Sequence, residues 1–270
     1  VTAFSMAAKK TAFLSLAQLA ILICPIADVA ADPKYRSNQN SSRQNDIATR
    51  NADFAARLLK MGKYREALVP LDEAIKAAPG RAQNYVWRGR SLLEIEHPKQ
   101  AMVDLNKAIE LDPNNYLAYQ FRARGNFELG NFQASLKDYT TALDKSTAPL
   151  EKADILRLRA RVQAALKRND LSIADFTQSI SFERHYSAFM LRGNQYCTLG
   201  KYEQAVKDYS EALKHTKDEN VDRLYTLRAQ AYEKMGRKDL AQKDFAKAKE
   251  GTNSMWGSVL QDLDKNSFSK

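Results

Sequence analysis

Gly62 and Gly130 stand 68 residues apart, twice 34, and the steps from Ala67 to Ala101 and from Pro79 to Pro113 are each 34. A chain that repeats a spacing of this size is confined to few architectures, because each repeat is one small supersecondary unit that buries its apolar face only by stacking on its neighbours. Within the period, Tyr64-Arg65-Glu66-Ala67, Tyr202-Glu203-Gln204-Ala205 and Lys238-Asp239-Leu240-Ala241 each follow a glycine (Gly62, Gly200, Gly236). A second alanine follows seven residues after the first, at Ala74, Ala212 and Ala248. Ala101 and Ala108 repeat the pair without the glycine.

Fixing the register on these residues gives six repeats, starting near Ala48, Ala82, Tyr116, Ala153, Tyr186 and Asp222. The eighth place of each is small: Ala55, Gly89, Ala123, Ala160, Gly193 and Ala229. The twenty-fourth is large: Leu71, Leu105, Tyr139, Phe176, Tyr209 and Phe245. Small residues let two helices approach, and a bulky one opposite fills the space beside them. A 34-residue period with this content resembles the tetratricopeptide repeat, a helix–turn–helix unit.

That resemblance implies an all-α, right-handed superhelical solenoid of about six units, with the first helices lining a concave face where ligands commonly lie. The chain departs from the family pattern in places. The fourth place lacks the characteristic Trp and reads Tyr85, Tyr119, Leu156, Phe189 and Tyr225 from the second repeat onward. Pro70 falls inside the second helix of the first repeat, where it should bend or weaken the hydrogen-bond ladder. Three extra residues around Ser146 to Pro149 predict a longer loop, and two more precede the sixth repeat.

The ends differ in character from the repeats. Lys9 and Lys10 precede an apolar run from Thr11 to Ile26, and Val29-Ala30-Ala31 supplies small residues before a cut. This pattern predicts a signal peptide over residues 1–31, with cleavage after Ala31. The run is short of the ~20 residues a spanning helix needs. Bulky Ile23 argues against acylation of Cys24, and loss of Cys24 would leave Cys197 alone, in a packing role. Residues 32–46 are polar and without apolar period, and predict a flexible leader. The solenoid then spans 47–251. Met255, Trp256, Val259, Leu260 and Leu263 recur at helical spacing, so residues 252–270 predict a capping helix and tail.

The charge balance, 42 basic against 32 acidic residues or +10, favours acidic partners. Part of it has a structural explanation. The seventh place of the second to sixth repeats is always Arg (Arg88, Arg122, Arg159, Arg192, Arg228), and the twenty-third is always Asp (Asp104, Asp138, Asp175, Asp208, Asp244). The first repeat has Phe54 and Pro70 instead, so Arg and Asp are expected to pair across the two helices of one repeat. As partly exposed pairs they would contribute only ~0.2–1 kcal/mol each.

What remains for a ligand is the ninth place, which reads Arg90, Arg124, Arg161, Asn194 and Gln230, with Arg157 one turn before Arg161. Gln120, Phe127 and Glu233 fall nearby. Guanidinium groups followed by amides suit acidic side chains, a C-terminal carboxylate or backbone carbonyls. Arg90 and Arg124 have Glu94 and Glu128 four residues on, whereas Arg157 and Arg161 have no acid at that spacing and are the best candidates. Cytosolic co-chaperones of the family hold chaperone C-termini with a clamp that starts from Lys and Asn four apart on one first helix and is completed by Asn, Lys and Arg of the next repeats. No first helix here has that pair: the fifth repeat has Met190 and Asn194, and its successor has Leu227 where Asn is expected.

His97, His185 and His215 are dispersed, with no HExxH and no paired cysteines, and no phosphate loop or nucleophile elbow occurs. The expectation is therefore a non-enzymatic scaffold of the cell envelope, without cofactor or metal, binding a protein or peptide of acidic or carboxylate character. Nucleic acid is not expected, because the aromatics fall on packing places and do not interleave with exposed Arg and Lys. The alternative is attachment to anionic lipid or wall polymer through the basic surface.

Overall fold

The computed structural model describes residues 33–216 and 221–250. The predicted signal peptide and its cut, Cys24, the two extra residues before the sixth repeat and the capping tail lie outside them. The described residues form twelve helices and no strand. In chain order these are α1 (Pro33–Lys60), α2 (Tyr64–Ala77), α3 (Ala82–Glu94), α4 (Pro98–Leu111), α5 (Tyr116–Glu128), α6 (Phe132–Lys145), α7 (Pro149–Ala165), α8 (Asn169–Phe182), α9 (Tyr186–Thr198), α10 (Tyr202–His215), α11 (Val221–Lys234) and α12 (238–250). The chain divides into two compact parts, Val1–Gly80 and Arg81–Lys270. The first carries the hairpin of α1 with α2, and the second carries the other five repeats. The architecture is an all-α helical repeat solenoid.

Each hairpin turns in the same way. At the fifteenth place the backbone enters the left-handed region: Gly62 (φ 72°), Gly130 (77°), Gly200 (70°) and Gly236 (74°), but also Glu96 (63°) and Lys167 (59°). The next N–H then reaches back to close the helix end, as in Lys63 to Leu58 O at 2.9 Å and Asn131 to Asn126 O at 2.8 Å. This bond ties off a carbonyl that a helix end otherwise leaves unpaired. The turn is therefore a property of the place in the repeat, with or without glycine.

Packing follows the predicted alternation of small and large. Ala55, Ala123, Ala160 and Ala229 are fully buried, and so is Leu71, with Phe176 and Tyr209 each 1% exposed opposite their own small residues. Burying one such side chain contributes about 1.5–3 kcal/mol. Serine replaces alanine at three of the other small places. Ser135 and Ser172 donate to Ala123 O and Ala160 O at 2.7 and 2.8 Å, and Ser179 donates to Ala153 O at 2.8 Å. A buried hydroxyl is tolerated there because a helix carbonyl across the contact accepts it.

Two expectations need correction. The predicted flexible leader, residues 32–46, is helical from Pro33 as the start of α1, although residues 39–46 are exposed. Residues 39–46 bury no apolar face, but α1 is anchored further on by Ala48, Ala55, Leu58 and Leu59. Propagating an existing helix costs far less than starting one, and no Gly or Pro interrupts the stretch after Pro33. The extra residues near Ser146 do not lengthen a loop: they extend α7, which has 17 residues against 13 in α5. Pro149 suits a first helical position, and the Glu151 carboxylate accepts from Ala148 N at 3.4 Å and Ser146 Oγ at 3.0 Å. Pro70 lies buried within α2, which spans Tyr64 to Ala77.

Candidate functional site

All five predicted Arg–Asp pairs form, and they are more buried than expected. Arg88 Nε and Nη2 donate to the two oxygens of Asp104 at 2.7 and 2.6 Å. Arg122–Asp138, Arg159–Asp175, Arg192–Asp208 and Arg228–Asp244 repeat this fork at 2.7–2.9 Å. The carboxylate side chains are 5–8% exposed and the guanidinium side chains 16–25%. Arg88, Arg122, Arg192 and Arg228 also lie 5.5–5.8 Å from the aromatic ring three residues before them. The remaining nitrogen reaches the preceding repeat: Arg122 Nη1 to Asn106, Arg159 to Thr140, Arg192 to Thr177 and Arg228 to Ser210, at 2.9–3.3 Å. These arginines are structural, and the link between repeats is one the sequence reading missed. Its signal was a short polar acceptor recurring directly after the twenty-fourth place.

The expected basic stripe does not survive as a stripe. Arg124 is held by two carboxylates, Glu94 at 2.7 and 3.2 Å and Glu128 at 2.8 Å. Glu94 thus serves Arg124 of the next repeat. Arg90 lies 5.8 Å from the rings of both Trp87 and Phe121. Arg157 is paired with Asp154, three residues before it, so its selection as free of an acidic partner is corrected. Considering only acids four residues later missed a partner on the other side. Asn194 accepts from the Tyr209 hydroxyl at 2.8 Å, a bond that braces the core of its repeat. Gln230 is exposed on α11.

Arg161 is different. It is exposed, makes no hydrogen bond or ion pair among the described residues, and lies 5.8 Å from the Phe127 ring. Together with Gln120, Arg124 and Phe127 it lines a hollow of about 400 Å³. Four of the eight predicted groove residues are therefore brought to one place, and Arg90, Arg157, Asn194 and Gln230 are not. The other lining residues are Phe121, Glu128, Tyr139, Leu158 and Val162. The walls belong to α5 and α7, the first helices of successive repeats. Gly125 lets α5 come close to the preceding repeat, since a Cβ there would lie 3.0 Å from Met102 Sδ and 3.4 Å from Leu93. The next repeat has Val162 at that place, and its side chain walls the hollow.

His185 and His215 belong to the scaffold. His185 caps α9, its Nδ1 accepting from Ser187 N at 3.3 Å. His215 stacks on Phe189 at 5.7 Å, a packing contact. Cys197 is half-buried with its sulfur 3.4 Å from the Tyr209 hydroxyl. Among the described residues no cluster of three or more His, Cys, Asp or Glu could hold a metal ion, and no helix is long and apolar enough to cross a membrane.

With this geometry in view, comparison with known proteins is informative about fold. Residues 82–115 and 122–183 match family profiles described as tetratricopeptide repeat, and residues 193–236 match one described as TPR repeat. No curated protein matches the chain in sequence. Among solved structures, PilW, a widely conserved type IV pilus biogenesis factor, is similar with a TM-score of 0.69 at 15% identity, over 81% of this chain and 99% of that one. Pseudomonas aeruginosa PilF is similar with a TM-score of 0.67 at 16% identity, over 83% and 98%. YrrB, a TPR protein with an unusual peptide-binding site, gives 0.54 at 14%, over 72% and 97%. Identities this low speak for shared architecture alone. The chain therefore carries tetratricopeptide repeats over residues 82–115, 122–183 and 193–236.

Proposed function

We propose that this chain is a non-enzymatic scaffold that binds a segment of another protein in the hollow between α5 and α7. The observation that carries the reading is Arg161: an exposed guanidinium without a carboxylate, set against Phe127 at the mouth of a partly apolar hollow. Nearly every other arginine of the predicted stripe has an internal partner, so the positive charge left for a ligand is concentrated there. An amide-lined, aromatic-walled space with one cation suits an extended peptide that offers carbonyls and an acid. A peptide-binding site on a protein of the same architecture, YrrB, fits this reading.

The place of action in this reading is the cell envelope, supported by Lys9 and Lys10, the apolar run to Ile26 and the small residues ending at Ala31. The test compares partners crosslinked in cells to the wild-type chain with those of Arg161→Glu and Arg157→Ala. A partner lost only in Arg161→Glu, with helical content unchanged, supports the groove. Identical recovery by all three chains refutes it. Intact-mass analysis of the chain recovered from the envelope fraction tests the cut after Ala31, and recovery of the uncut chain from the cytoplasm would refute the envelope reading.

A further inference from the structure

The floor of the hollow contains a group that the fold does not account for. Tyr139 and Tyr209 occupy the same place in their repeats, and both are almost wholly buried, 2% and 1% exposed. In the fifth repeat the phenol is satisfied internally: Tyr209 donates to Asn194 Oδ1 at 2.8 Å and lies 3.4 Å from Cys197 Sγ. The third repeat has Arg124 and Phe127 at those two places. Arg124 offers no acceptor and is drawn off by Glu94 and Glu128, and Phe127 is apolar. The Tyr139 hydroxyl has no hydrogen-bond partner among the described residues, and its side chain lines the hollow. Although the ring is buried, the hydroxyl opens into the hollow, where only water or a bound group can take its hydrogen bond.

The surroundings define what would complete it. Burial drives the Tyr139 phenol above its ordinary pKa, while the charges of Arg161 and Arg124 pull the other way, so it remains an O–H donor throughout the neutral range. Arg161 adds guanidinium N–H groups and Gln120 a side-chain amide on the wall, neither engaged by another described residue. The ligand atom must therefore accept hydrogen bonds. Only one guanidinium is uncompensated, and Glu128 stands on the same rim, so a single negative charge is favoured over a phosphate dianion. Phe121, Phe127, Leu158 and Val162 supply an apolar wall beside it.

We propose that the hollow is a carboxylate-recognition site, in which the Tyr139 hydroxyl and the Arg161 guanidinium both donate to one carboxylate of a bound peptide while a neighbouring apolar side chain rests against Phe127 and Leu158. The proposal rests on the reading that the groove binds peptides. The carboxylate comes either from a Glu or Asp side chain or from a free C-terminus, and the two sources share this chemistry.

The probe is a displayed library of random short peptides with free C-termini. It is selected on the full chain and counter-selected on Leu158→Arg, which fills the hollow. Peptides that depend on the hollow are resynthesised with each acid replaced by its amide, or with an amidated C-terminus, and their affinities are measured by calorimetry. One of the two replacements, according to the source, is expected to weaken binding at least about tenfold, as for a lost hydrogen bond to a charged group. Tyr139→Phe weakens the acid peptide about tenfold and leaves its amide analogue unchanged, a coupling that a purely structural role would not produce. Arg161→Gln, at an exposed position that does not bear on folding, gives the same pattern. Failure to recover any hollow-dependent peptide overturns the groove reading itself. Hollow-dependent peptides whose acid and amide forms bind alike, or that bind Tyr139→Phe and Arg161→Gln as they bind wild type, overturn the carboxylate site and leave the groove standing.

Discussion

Glu96 (φ 63°) and Lys167 (φ 59°) occupy the turn position that Gly62, Gly130, Gly200 and Gly236 hold in the other repeats. A side chain with a Cβ pays roughly 1–2 kcal/mol to sit in the left-handed region, and glycine returns part of that gain through its freer unfolded chain. Glu96→Gly and Lys167→Gly are each expected to stabilise the chain by about 0.5–1 kcal/mol, read as a higher urea midpoint at unchanged slope. Gly193 behaves in the opposite way. A Cβ there would lie 2.7 Å from Tyr209 Cε1, on a ring whose hydroxyl is fixed by Asn194. Gly193→Ala should cost about 1–3 kcal/mol by thermal or urea unfolding. Smallness at the eighth place was legible in the sequence. The choice between glycine and alanine was not, because Ala123 faces a tyrosine too, and what differs is the tether on the ring. Tyr139 escaped notice for a related reason: a tyrosine at a packing place reads as core. The only signal was that its repeat lacks the Asn and Cys that satisfy Tyr209.

At the scale of the helix hairpin, the bidentate Arg–Asp fork is the recurrent brace. Its carboxylates are nearly buried while its guanidinium groups reach the rim, so the pair is asymmetric. Arg122→Met leaves Asp138 buried without its cation and should cost about 2–3 kcal/mol, less than the ~3–5 of a fully buried pair because water reaches the rim. The double variant Arg122→Met with Asp138→Leu should recover most of that loss in a double-mutant cycle, which separates the cost of an orphaned charge from the worth of the pair. The pairing itself was legible, since both residues appear together in five repeats and vanish together in the first. Its burial was not, because exposure depends on the neighbouring repeat and the ring stacked on the arginine.

The start of α7 carries a pH-sensitive element of the same size. The Tyr116 hydroxyl beside Glu151 holds its carboxyl below the ordinary value of 4.5, helped by Ser146 and by the Ala148 and Thr147 backbone, against a smaller effect of burial. A depressed folded pKa means that the stabilisation is present above pH 4.5 and is lost as the pH falls through the lower folded value. The protection of amides in the first turn of α7, taken relative to the intrinsic exchange rate at each pH, should therefore fall on acidification below pH 4.5 in the wild type. Glu151→Gln should abolish that dependence. The sequence showed extra residues here and suggested a loop. Pro149 and Glu151 instead begin a helix, a conversion that shows only when the local capping is examined together with the repeat register.

For the molecule as a whole, a stack of repeats is a one-dimensional object whose cooperativity depends on nearest-neighbour contacts. The 34-residue period made the number and order of repeats legible, because each position meets the same packing demand in every unit. It did not reveal how the repeats are linked, since the third nitrogen of Arg122, Arg159, Arg192 and Arg228 pairs with a residue of no fixed type: Asn106, Thr140, Thr177 or Ser210. Arg159 and Arg228 make the same bonds at different positions in the array, one in its interior and one near the last described helices. Arg159→Met removes the fork to Asp175 and the link to Thr140 between the third and fourth repeats. A cut in the middle should divide the array, so that urea unfolding broadens, the apparent slope falls, and exchange of amides in α3 to α6 no longer tracks that in α8 to α11. Arg228→Met breaks an equivalent set of bonds, but close to the end it can release only α11 and α12, and the main transition should keep its slope. Equal broadening in both variants would mean that cooperativity is carried by the apolar contacts between repeats, with the arginine links only riding on them.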